Sequence, residues 1–124
     1  MSFFLNNNTI SVFKAAKMLT AQSKDFVIQT KTIERAKGLS EIIPAYTKAA
    51  EICAEMEDVS VKSGLATGVG AAEDRVDELI ELMKKKLTEY VDNSSDPSEA
   101  LKDILSYESV LADEIIAYMN ETTN

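Results

Sequence analysis

The stretch Val76-Asp77-Glu78-Leu79-Ile80-Glu81-Leu82-Met83-Lys84-Lys85-Lys86-Leu87-Thr88-Glu89-Tyr90-Val91 decides the fold class. Val76, Leu79, Ile80, Met83, Leu87, Tyr90 and Val91 share one arc at roughly 100° per residue, the repeat of an amphipathic helix and not of a strand. The charges follow the same axis. Glu73, Asp74, Asp77, Glu78 and Glu81 sit toward the start and Lys84, Lys85 and Lys86 toward the end, which complements the helix dipole. A helix over about 70–92 is expected.

Working outward, the preceding segment runs from Ser40 to Ser63, with Ile42, Tyr46, Ala49, Cys53 and Met56 on one face and Glu51, Glu55 and Asp58 on another. Ser40 is expected to cap it and Pro44 to fall in its first turn, where no intrahelical N–H bond is lost. Before it, about Thr9 to Lys37, Val12, Leu19, Phe26 and Ile33 recur at seven-residue spacing with Ala16, Ser23 and Thr30 between them. That is a coiled-coil-like stripe with a small, hydroxylated second seam. Lys37 and Gly38 read as its end, glycine taking the left-handed conformation.

The last segment opens on Asp96-Pro97-Ser98-Glu99, a capping residue, a proline fit for the first turn and a glutamate able to reach back to the cap N–H. Leu101, Ile104, Leu105, Leu111, Ala112, Ile115, Ile116 and Met119 then form a broad apolar arc. Strand patterns are missing throughout. The expectation is an all-α, up-and-down four-helix bundle with helices at about 9–37, 40–63, 70–92 and 96–119. It makes one domain over 1–124, with a short N-terminal arm (1–8) and a frayed tail (120–124). Leu79, Ile80, Met83, Leu87, Leu111 and Ile115 are expected in its core.

Composition excludes several chemistries. The 124 residues contain no His and one Cys, so serine–histidine triads, histidine metal sites, paired-cysteine redox centres and intrachain disulfides are unavailable. The glycine cluster Gly64-Leu65-Ala66-Thr67-Gly68-Val69-Gly70 lacks the preceding strand and the Lys-Ser/Thr pair of a phosphate-cradling loop and reads as a turn. A net charge of −8 repels phosphate backbones, so nucleic acid is a disfavoured partner. Residues 1–8 carry no basic region and too short an apolar run for a secretory signal, and no stretch reaches the roughly 20 apolar residues of a membrane span; a cytoplasmic location is expected, with export by a signal-independent machine as the alternative.

Two single residues stand out. Cys53, in an apolar stripe, reads as a buried, inert thiol. Glu108 falls inside the apolar arc of the last segment, one turn after Ile104 and one before Leu111, so a continuous helix would bury it. It would then need a hydrogen-bonded partner or act as a tuned acid.

The charge is split along the chain. Residues 1–40 hold six basic and two acidic side chains and residues 41–124 seven and 19, so a balance of +4 faces one of −12. On a helical wheel Lys14, Lys17, Lys24, Lys31 and Arg35 form a strip opposite the Val12-Leu19-Phe26-Ile33 seam, with Phe13 and Ile28 among them and Ile10 and Ala21 beside them. One reading is a solvated face on which lysine stems cover the apolar groups. The other is a second contact surface, with Phe3, Phe4 and Leu5 of the arm capping the bundle or reaching a neighbouring subunit.

These features together lead to a non-enzymatic protein–protein interaction module, a self-associating subunit, adaptor or chaperone of a larger assembly. Its contact residues are Phe13, Lys14, Lys17, Lys24, Ile28, Lys31 and Arg35, its partner another protein or itself, and it needs no cofactor, metal or membrane span. A ligand-binding or catalytic bundle built on a buried Glu108, and an acidic mimic occupying a nucleic-acid-binding protein, are the alternatives.

Overall fold

In the computed structural model, which describes residues 9–123, the arc around Met83 belongs to the longest of five helices, and no strand occurs among the described residues. We number them α1 (Val12–Arg35), α2 (Leu39–Ser63), α3 (Ala66–Asp92), α4 (Pro97–Leu105) and α5 (Asp113–Thr123). The arm 1–8, with Phe3, Phe4 and Leu5, lies outside the described residues. Helix extends through most of the polar tail, to Thr123.

α2 is the central element, packed against α1 and α3, while α4 and α5 pack on α3 and on each other. The Ile10 N–H donates to the Lys62 carbonyl at 3.2 Å, so the start of α1 meets the end of α2. Lys86 Nζ donates to the Glu34 carbonyl at 2.9 Å, which sets the end of α1 beside the later half of α3. The first three helices therefore alternate in direction. Phe26 and Ile33 of α1, Ile42, Tyr46, Ala49, Cys53 and Met56 of α2, and Leu79, Met83 and Leu87 of α3 meet in one core with Ile104, Leu111, Ile115 and Met119. Ile80 is partly buried against it.

Several boundaries differ from the sequence expectation for identifiable reasons. α1 starts where Ser11 Oγ accepts the Lys14 N–H at 3.2 Å, and it ends at Arg35. Gly38 is extended (φ −132°) and is itself the residue from which α2 begins, so Ser40 is the second residue of the helix and not its cap. Pro44 is then the sixth helical residue, just past the free first turn, and leaves the Ser40 carbonyl without the bond an N–H would supply. Val12 is 56% exposed, because it sits roughly 50° off the line through Ala15, Phe26 and Ile33 that α1 turns inward.

The glycine cluster divides into two roles. Gly64 ends α2 with φ 72°, the left-handed conformation that glycine tolerates. α3 begins at Ala66, so Gly68 and Gly70 are helical, and Gly68 is where the two helices touch: a Cβ there would overlap Ser60 Oγ and stand 2.9 Å from Ser60 Cβ. Ser60 is fully buried, its hydroxyl donating to the Met56 carbonyl at 2.7 Å.

The main correction concerns the last segment, which is two helices and not one. α4 starts as read, Asp96 Oδ1 accepting from the Glu99 N–H at 3.3 Å, although the Asp96 N–H goes to Ser94 Oγ at 3.2 Å and not to Glu99. After Leu105 the chain tightens, with the Tyr107 N–H on the Ile104 carbonyl and the Val110 N–H on the Tyr107 carbonyl. Ser106 Oγ donates to the Asp103 carbonyl at 2.6 Å, the kind of local side-chain bond that competes with helix continuation. α5 restarts from Ala112, whose carbonyl accepts from Ile115 and Ile116.

Candidate protein interface

The break overturns the burial expected of Glu108. The residue lies in the turn at 106–110 and is exposed, because the interrupted helix no longer carries the phase that set it between Ile104 and Leu111. Among the described residues no carboxylate is buried in the core. Cys53 is buried, and burial is the main cause that pushes its thiol from about 9 up to about 11; nearby Arg75 opposes that rise and Glu78 adds to it. Among the described residues no group of three His, Cys, Asp or Glu side chains is placed to hold a metal ion, and no helix is long and apolar enough to cross a membrane.

All seven contact residues read from the sequence are exposed on the outer side of α1: Phe13, Lys14, Lys17, Lys24, Ile28, Lys31 and Arg35. The placement follows from helical spacing, since the wheel that turns Ala15, Phe26 and Ile33 inward turns these outward. Lys17 Nζ stands 4.7 Å from the centre of the Phe13 ring, yet the ring is 72% exposed, and Ile28 is 57% exposed. The lysine stems therefore do not cover the apolar groups. Among the described residues the ion pairs join Lys62 to Asp58, Arg75 to Glu78 and Lys84 to Glu81, and none uses a cation of α1. Among the described residues no ion pair neutralises the strip.

Beside the strip, α1 and α3 diverge over α2 and leave an open groove of about 610 Å³. Leu19, Val27, Ile28 and Met56 line it with Lys24 and Arg75 at its polar edge. Sequence reasoning missed Val27 and Arg75 in this role. Val27 lies one position from Ile28 and is likewise exposed, so the strip could have been widened to include it. Arg75 was hidden by the acidic run around it; its guanidinium lies over the Phe26 ring at 5.7 Å and reaches Glu78 at 3.4 Å, while Nε is buried without a hydrogen-bond partner.

A smaller groove of about 200 Å³ lies between α2 and α3, lined by Ala50, Cys53, Ala54, Glu57, Val76 and Ile80 among others, with no cation among its lining residues. Val76, expected in the core arc, is 40% exposed here, at the edge of the arc that Leu79 and Met83 turn inward. Compared with known protein families, with curated proteins and with solved structures, the chain finds no match in any of the three.

Proposed function

We propose that this chain is a non-enzymatic protein–protein interaction module, a self-associating subunit, adaptor or chaperone of a larger assembly, that docks through the outer face of α1. The observation that carries this is the pairing of exposed Phe13, Val27 and Ile28 with five cations that have no intramolecular ion-pair partner among the described residues. An apolar patch framed by one sign of charge suits an interface in which charge steers encounter and apolar area holds the complex. The architecture behind it is an up-and-down bundle whose fourth arm is interrupted, acting as a rigid support in the cytoplasm. The acidic-mimic alternative has only the net charge of −8 in its favour, and the catalytic alternative lost its premise with the exposure of Glu108.

The test is sedimentation of the wild type, of Lys17→Glu/Lys24→Glu and of Phe13→Ser/Ile28→Ser at low and physiological salt. Association weakened in both variants, with helical content unchanged, is the expected result. A wild type that stays monomeric at high concentration, with variants that retain every protein partner the wild type captures, overturns the proposal.

A further inference from the structure

Among the described residues the exposed large apolar side chains fall into two groups. Val12, Phe13, Val27 and Ile28 belong to α1, whose charged residues are five cations and two anions. The others are Val61 of α2 (63% exposed), Val76 of α3 and Val110 in the turn before Ala112. Val76 and Ala112 line the groove between α2 and α3, and Glu57 lies on its α2 side. On the α3 wheel Glu73 and Asp77 fall just outside Val76 and Ile80, and both are exposed. On α2 Val61 continues the Glu57–Ala54 edge one turn on, and Asp58, paired with Lys62 at 3.0 Å, lies just outside it. The molecule thus carries a basic, apolar helix face and, elsewhere, an apolar groove with acidic edges.

We infer that the two surfaces are halves of one contact, in which the outer face of α1 from one copy seats in the acidic α2–α3 groove of a second copy. This rests on the reading of α1 as a docking face and adds the occupant. The last segment breaks at 106–112, so among the described residues no helix continues over Ala54, Glu57 and Val76. A helix from outside would occupy that place. Lys17, Lys24 and Lys31 would lie near Glu57, Glu73 and Asp77, with Phe13 and Ile28 against Val61, Val76 and Ile80. After the first contact one copy keeps an unused groove and the other an unused α1 face, so association is head-to-tail and either closes into a ring or continues as a filament. A two-fold pairing of α1 faces would instead set five cations against five.

The test is a charge exchange followed by sedimentation at about 0.05 and 0.15 M salt, a range over which the screening length contracts toward roughly 8 Å. Lys17→Glu/Lys24→Glu alone and Glu57→Lys/Asp77→Lys alone are each expected to reduce the association constant by about tenfold or more. The chain carrying all four substitutions is expected to associate again, since both surfaces have changed sign together; that recovery also shows that the substituted chains fold. If the groove variant associates as the wild type does, or the fourfold variant stays dissociated with its helical content intact, the inference is overturned while α1 keeps its role toward another protein. If the α1 variant also behaves as the wild type, the proposed function falls with it. A monomeric wild type whose α1 strip holds a different protein overturns the inference alone.

Discussion

The Tyr46 hydroxyl, at the buried end of a side chain in the early part of α2, accepts a hydrogen bond at 3.1 Å from the backbone N–H of Ala112, 66 residues further along the chain. That N–H belongs to the residue just before α5, so the bond ties the break in the last segment to the central helix. Burial raises the phenol above its ordinary value; the hydrogen bond from Ala112 opposes the rise and Glu114 adds to it.

Tyr46→Phe keeps the ring and removes the acceptor. The Ala112 N–H is left half-enclosed without a partner, and the expected cost is about 1–3 kcal/mol in urea unfolding. Helical content should be unchanged. Stability equal to the wild type would show that water replaces the hydroxyl at no cost.

Two neighbouring glycines should respond in opposite directions. Gly68→Ala forces a methyl onto Ser60 where the helices meet, and a loss of about 1–3 kcal/mol is expected. Gly70→Ala meets nothing within 4 Å and is expected to gain about 0.5–1 kcal/mol from the better helix former. Thermal unfolding of the pair checks both, and a shared sign would refute the close contact.

Alkaline pH should destabilise the fold through Cys53 and Tyr46. Both groups bind their protons more tightly folded than unfolded, and for the thiol, between about 9 and about 11, the native state holds a proton that the unfolded chain has released. The stability from the neutral thiol is intact below 9 and is lost as pH rises toward 11. Unfolding midpoints from pH 8 to 11 should fall more steeply for the wild type than for Cys53→Ala, and equal slopes would contradict this. The folded thiol should also resist alkylation at pH 8.

Substitutions at the core and at the exposed turn should separate cleanly. Leu87→Ala or Ile104→Ala removes a fully buried side chain, with an expected cost of about 2–5 kcal/mol in denaturant unfolding. Glu108→Gln and Glu108→Leu should stay within about 0.5 kcal/mol of the wild type.

Helical class and most of the buried stripe were legible in the sequence, because the period of the apolar residues survives whatever the neighbours are. Ile42, Tyr46, Ala49, Cys53 and Met56 were placed on the right face by spacing alone. The outer strip of α1 was legible for the same reason, being the complement of the inward line. Spacing could not reveal the break at 106–112. Leu111 keeps the arc that Ile104 began, so the pattern reads as continuous, while what interrupts it is Ser106 bonding to its own turn and an acceptor 66 residues away. Glu108 was misplaced by that one missed interruption. The acidic groove was invisible because openness between two helices depends on where a third one stops.

The same interruption gives the molecule two tiers of opening. α4 has nine residues and α5 eleven, both below the dozen or so at which an isolated helix begins to hold in water, so each is helical only while docked on α3. Undocking α5 need not disturb the long helices before it, and its amide protons can exchange with solvent through that smaller excursion. Those of α2 and α3 must wait for the whole core to come apart.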